Sequence, residues 1–188
     1  MKIAIYGQSF NNNTKKSTHT LLDLLLLKNV QVALENDFFN DIKKNFNSAE
    51  KYNAFTSFKT LDNSYDLLIS IGGDGTILRA ITFVRDFNIP IIGINTGRLG
   101  FLSTIQNNQI EEAINHILKG NYNISERTLL SVQTNPSNKD IGILNFALNE
   151  IAVSRKNTTS MITVRTHLNK EYLTSYWADG LIISTPTG

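Results

Sequence analysis

Short, nearly unbroken apolar runs alternate with amphipathic stretches over the first two thirds of this chain, and then the pattern changes. Lys2 to Tyr6 reads as a buried strand, followed by a polar loop over Gln8 to Asn13. A helix is expected from about Thr14 to Lys28, with Leu21, Leu24, Leu25 and Lys28 on one face and Leu22 and Leu26 beside it. Val30 to Leu34 alternates like a strand, and Phe38 to Phe46 reads as helix. Tyr65 to Ile71 is apolar almost throughout, as expected of a parallel strand covered on both faces. A helix over Ile77 to Arg85 and a strand over Ile89 to Ile94 follow. Ile110, Ala113, Ile114, Ile117 and Leu118 then mark an amphipathic helix that Gly120 stops. This order predicts a parallel sheet with helices on both faces.

Beyond Asn121 no helix is expected. ERTLLSVQ, ILNFALNEIAVSR, SMITVRTHL, EYLTSYW and GLIIST read as strands joined by polar turns such as NPSNKD and LNKE. The expected organisation is an α/β domain over residues 1–122 and an all-β, or β-rich, second domain over 123–188, the latter incomplete. The last residues, ADGLIISTPTG, stop straight after a strand-like run, so the chain reads as a fragment or an engineered truncation.

Composition narrows the function classes. A chain that is 41% hydrophobic and 18% charged is expected to be a soluble globular protein. Its net charge of +2 is too small to imply a nucleic-acid or membrane partner. Having no cysteine, it has no disulfide, thiolate metal site or catalytic thiol, which fits a reducing compartment. The N-terminus lacks the apolar core of a signal peptide, and a cytoplasmic location is expected. His19, His116 and His167 stand alone, with no partner at metal-ligand spacing.

The chemistry concentrates in SIGGDGTILRA, Ser70 to Ala80, where a strand gives way to a helix. Gly72, Gly73 and Gly75 permit positive φ and close approach. Unpaired amides at a helix start can hold a phosphate. The turn is not a Walker A loop, because no Gly-Lys-Ser/Thr follows, and Leu78 stands where the dinucleotide fingerprint needs its third glycine. Asp74 has two readings: a helix cap or turn former, or a carboxylate that orients a sugar hydroxyl and accepts its proton as phosphate is transferred. Thr76 reads as a helix cap or a phosphate contact.

Gly72-Gly73-Asp74-Gly75-Thr76 resembles the signature of the NAD kinases, shared with diacylglycerol and sphingosine kinases and related to phosphofructokinases. GINTGRLGFL (Gly93 to Leu102), LNEIAV (Leu148 to Val153) and DGLIISTPTG (Asp179 to Gly188) are similar to further NAD kinase motifs, in the family's order. The resemblance implies transfer of the γ-phosphoryl of ATP to the 2′-hydroxyl of the NAD adenosine ribose, giving NADP. It implies a divalent cation, Mg²⁺ by preference, held mainly by nucleotide phosphates and water. It also implies a homo-oligomer, commonly a tetramer.

Carried onto this chain, the resemblance makes Asp74 the base and Gly75 a backbone contact, with Arg79 near a phosphate. Asn149 and Glu150 would meet the ribose hydroxyls and adenine region. Asp179 would face the cationic nicotinamide, with Trp177 beside it as a ring cover. Ser160 and Thr187 are further nucleotide contacts. Each has a plainer reading: a solvated charge for Arg79, an edge-strand polar pair for Asn149 and Glu150, an Asp-Gly turn for Asp179, core packing for Trp177. Adjacent residues of a regular strand point to opposite faces, so Asn149 and Glu150 predict an irregularity there. Leu99, Phe101 and Leu102 read as packing groups, and Arg98 as a surface charge. Two alternatives stay open: a diacylglycerol-type lipid kinase, and a scaffold that binds NAD but turns it over poorly.

Overall fold

The computed structural model describes residues 1–46, 49–98, 100–156 and 159–188. They form two compact units, Met1–Ile124 and Ser125–Gly188.

The first unit is built on five parallel strands: β1 (Lys2–Gly7), β2 (Gln31–Glu35), β3 (Thr56–Phe58), β4 (Leu67–Gly72) and β5 (Ile91–Asn95). Their spatial order is β3-β2-β1-β4-β5. Four helices connect them or follow: α1 (Asn12–Leu27), α2 (Asn36–Asn45), α3 (Asp74–Val84) and α4 (Ile110–Leu118). The parallel sheet with helices on both faces is therefore present. Ile3, Ile5, Leu34, Ile69 and Ile71 bury one face against Leu21, Leu22 and Leu25 of α1 and Ile110, Ile114 and Ile117 of α4. Ala4, Ala33 and Leu68 bury the other against Ala80 and Val84 of α3. That double burial is why β1 and β4 carry unbroken apolar runs.

Local chemistry sets the helix ends. Asn11 caps α1, accepting the amides of Asn13 and Thr14 while the Thr14 hydroxyl takes the Asn11 amide. At its other end Asn29 adopts φ +53°, and the amides of Asn29 and Val30 reach back to Leu26 and Leu25. This is a Schellman stop with asparagine in glycine's place.

The second unit is β-rich, as expected. It contains β6 (Leu130–Ser131), β7 (Phe146–Ala147), β8 (Glu150–Ser154), β9 (Ile162–Leu168), β10 (Glu171–Ala178) and β11 (Gly180–Ser184), in three antiparallel pairs. Asn169 and Lys170, both at positive φ, make the β9–β10 turn. One five-residue helix, α5 (Lys139–Ile143), departs from the all-strand expectation. It begins at the end of the expected NPSNKD turn and runs to the first residue of the next expected strand, capped by Asn138, which accepts the Asp140 amide. The expected irregularity at Asn149 is present: the apolar run breaks after Ala147 and restarts at Glu150.

Candidate functional site

In the first unit the strand order reverses between β1 and β4, which are direct neighbours. In open parallel sheets, ligands bind beyond the carboxyl ends of the strands at such a reversal. The glycine-rich turn leaves β4 at this point. Gly72 has φ +154° and the Thr76 side chain packs where its Cβ would stand, so a side chain there meets both strain and collision. Thr76 is buried under the turn and does not cap the helix; Gly73 is the N-cap.

Asp74 is the first residue of α3, and its carboxylate does not cap its own helix either. It points to the loop after β5. Oδ2 accepts the Phe101 amide at 2.8 Å; Oδ1 accepts those of Leu102 at 3.0 Å and Ser103 at 2.8 Å. Gly100 sits so close that a Cβ there would collide with the Asp74 carboxyl group. The Ser103 hydroxyl ties the same loop to the Gly72 carbonyl at 3.0 Å. Partial burial pushes the Asp74 pKa up, but the amides of Ser103, Phe101 and Leu102 together outweigh this and hold it below the ordinary carboxylate value.

The loop is held from within by Asn95, buried at the end of β5. Its amide nitrogen donates to the carbonyls of Arg98 (2.9 Å) and Ser103 (3.0 Å), and its oxygen accepts the Gly97 amide (2.8 Å). The structure thus joins two motifs that lie 27 to 29 residues apart in the chain. Phe101 corrects an expectation: its side chain is 94% exposed, because its backbone rather than its ring makes the contact. Leu99 lies outside the described residues, and Arg98 is exposed as expected. Gly75 is exposed beside Asp74. Arg79, on the exposed side of α3, stands near Tyr6 at the carboxyl end of β1; burial raises the Tyr6 pKa and the Arg79 charge opposes that rise.

In the second unit, Asn149 and the STPTG segment come together. Thr185 is buried; its hydroxyl donates to the Leu148 carbonyl and its amide to that of Asn149 at 2.8 Å. Thr187 donates its amide back to the Thr185 hydroxyl at 3.0 Å. The Asn149 Oδ1 is buried and has no hydrogen-bond partner among the described residues, an acceptor left without a donor there. Glu150, across the β8–β11 pair from Ser184, is exposed, as is Ser160. Trp177 is 77% exposed, which removes core packing as its role within the unit. Asp179 follows β10 and pairs with Arg155 at 3.1 Å, while its carbonyl accepts the Arg155 amide at 2.9 Å. Arg155 and Asn95 were not singled out in the sequence. The visible signal for Asn95 is a polar residue closing the apolar strand IPIIGIN.

An open parallel sheet with a glycine turn and a clasped carboxylate at its reversal point defines an α/β protein of the class whose ligands bind at that end of the sheet. The chain belongs to the ATP-NAD kinase family: the N-terminal domain of that family matches residues 4–122 and its C-terminal domain residues 148–188. It is 55% identical over its whole length to an NAD kinase of Christiangramia forsetii and 54% identical to one of Flavobacterium psychrophilum. It spans 64% of the length of each. Yeast NADH kinase, crystallised with NADH, shares the fold at a TM-score of 0.78 and 23% identity, covering all of this chain and 58% of that one. Among the described residues no group of three His, Cys, Asp or Glu side chains could hold a metal ion. Among the described residues no helix is long and apolar enough to cross a membrane.

Proposed function

We propose that this chain carries the phosphoryl-transfer machinery of an NAD kinase, moving the γ-phosphoryl of ATP to the 2′-hydroxyl of the NAD adenosine ribose. The observation that carries this reading is the state of Asp74. A carboxylate offers about four lone-pair positions. Three are taken by amides, two on Oδ1 and one on Oδ2, so Oδ2 keeps one position for a hydroxyl donor. A 2′-hydroxyl bonded there has its oxygen lone pair directed outward. As that oxygen bonds to phosphorus, the bond to the ADP oxygen breaks and the hydroxyl proton passes to Asp74.

The lowered pKa makes Asp74 a weak base, and this fits a loose transition state in which bond breaking precedes much proton removal. Its main contribution is orientation, from an oxygen that three amides hold still. In the same reading Gly75 and Arg79 contact the dinucleotide phosphates, and the unpartnered Oδ1 of Asn149 takes a ribose or adenine donor, with Glu150 beside it. Asp179 and the exposed Trp177 serve the nicotinamide end, and Ser160 and Thr187 are lesser nucleotide contacts. The described residues build no carboxylate cage, so a divalent cation would be held by the nucleotide phosphates and water and would neutralise phosphate charge. A cytoplasmic homo-oligomer, tetrameric as is common in the family, completes the proposal.

The test incubates the chain with ATP and magnesium, offering NAD or diacylglycerol as acceptor, beside a calorimetric titration with NAD. NADP formation that Asp74→Asn abolishes while NAD still binds supports the proposal. Phosphorylated diacylglycerol, or NAD binding without NADP, replaces it with the lipid kinase or the scaffold.

A further inference from the structure

A cleft of about 400 Å³ opens on the α1 and α4 side of the first sheet, between the first turns of α1, the end of β5 and the segment leading into α4. Small-molecule sites occupy roughly 300–1,000 Å³. One wall is Asn95, which pairs in register with Gly72, and neighbouring strands lie about 4.8 Å apart. The cleft therefore begins one strand away from the glycine turn that carries Asp74.

Among the described residues its lining contains no carboxylate and no large apolar or aromatic side chain. Lys16 is its one charged group, with no ion-pair partner among the described residues. Asn13, Thr96, Gln106 and Asn107 add polar side chains around it. Ser17 donates to Asn107 Oδ1 at 3.1 Å, which leaves the Asn107 amide nitrogen as a donor. The α1 amides of Asn13, Thr14 and Lys15 are already taken by Asn11, so the cleft works through side chains and not through the helix end. Among these described residues a nucleobase would find nothing to stack on. A ligand carrying several oxyanions would find one ammonium, several neutral donors and no repelling charge.

We infer that this cleft takes the phosphate chain of the phosphoryl donor, with Lys16 as its charged anchor. The inference rests on the reading of Asp74 above and adds where the donor's phosphates lie. Two sources share this chemistry, a nucleoside triphosphate and free inorganic polyphosphate.

The test titrates the 188-residue chain calorimetrically with ATP and, separately, with inorganic tripolyphosphate, both in magnesium. Wild type is compared with Lys16→Gln and with Lys44→Gln, which removes an equal charge from α2 outside the cleft. Losing one charge-assisted contact weakens binding by about ten-fold. That loss for both ligands in Lys16→Gln, and for neither in Lys44→Gln, supports the inference. Equal affinity for the two then assigns the cleft to phosphate alone, and tighter ATP binding to a nucleotide. Tripolyphosphate that does not bind, or binding that Lys16→Gln leaves unchanged or Lys44→Gln weakens equally, overturns it. A chain that makes NADP with an ATP KM unmoved by Lys16→Gln refutes this inference and leaves the proposed function standing. Tripolyphosphate binding that depends on Lys16 in a chain that makes no NADP does the reverse.

Discussion

Replacing Asp74 by asparagine, the obvious test of a base, changes more than a proton acceptor. All three loop amides donate to this side chain, and an asparagine has only one accepting oxygen. With that oxygen in the Oδ1 position, the amides of Leu102 and Ser103 keep their bonds but lose charge assistance, about 1 kcal/mol each. The new NH₂ group then faces the Phe101 amide, donor against donor. Phe101 is exposed, so water can satisfy its amide at a cost below about 1 kcal/mol. Solvent near the half-buried carboxyl trims the sum. We expect the first unit to lose about 2 kcal/mol of stability on Asp74→Asn. Urea unfolding followed by the helical far-UV signal reads this unit, because α1 to α4 all lie in it. Amide exchange at Phe101, Leu102 and Ser103 should quicken in parallel. A stability change below about 0.5 kcal/mol, with unchanged exchange at those amides, refutes the clasp as an energetic element. If the clasp holds, lost turnover in this variant does not by itself separate base from anchor, and the exchange data must accompany it.

Two further outcomes concern the same loop, and a third the cluster around His19. Gly100→Ala drives a methyl into the Asp74 carboxyl group, so it should cost at least as much as Asp74→Asn, about 2–3 kcal/mol in the same urea assay; wild-type stability would contradict the close approach. Asn95→Ala removes three hydrogen bonds, one buried and two part-buried, and should cost about 2–4 kcal/mol, with faster exchange at Gly97; a loss confined to turnover would show that the loop is held otherwise. His19 packs between Phe10 and Phe46 with its Nε2 buried and without a hydrogen-bond partner among the described residues; burial first, and then Lys15 and Lys51, lower its pKa against the pull of Asp23. A lowered histidine pKa means that the unfolded chain takes the proton first. Its contribution to stability is therefore full above the unfolded value, about 6.5, and is lost as pH falls through the lower folded one. His19→Phe should flatten that slope in urea unfolding from about pH 7 to 5; an unchanged slope assigns it elsewhere.

The elements that could be read in advance are those with long apolar patterns. β1 and β4 are covered on both faces, and α1 and α4 turn one stripe to the sheet, so run length and period were enough. β3 escaped because it has three residues at the sheet edge and buries only Phe58. α3 starts at Asp74 rather than Ile77, since its first turn carries no apolar signal and Gly73 caps it without a side chain. The break at Asn149 was readable because a polar pair inside an apolar run has to go somewhere. Asp74 was visible as a residue, but its three donors were not: peptide amides have no residue identity, and only the fold of the loop after β5 brings them near. The Arg155–Asp179 pair was hidden for a related reason, because the β8–β11 register and not sequence spacing puts them together.

Amide donors leave the loop one freedom. The groups that fix the charge on Asp74 belong to the main chain at Phe101, Leu102 and Ser103, while the Phe101 ring stands free of them. Side chains at that position can drift over evolutionary time, or be exchanged by an engineer, without altering the electrostatics of the carboxylate. Side-chain identity at the loop surface and the charge state of the acid are thereby separable traits, and a library varied at Phe101 should leave amide exchange at Leu102 and Ser103 unchanged.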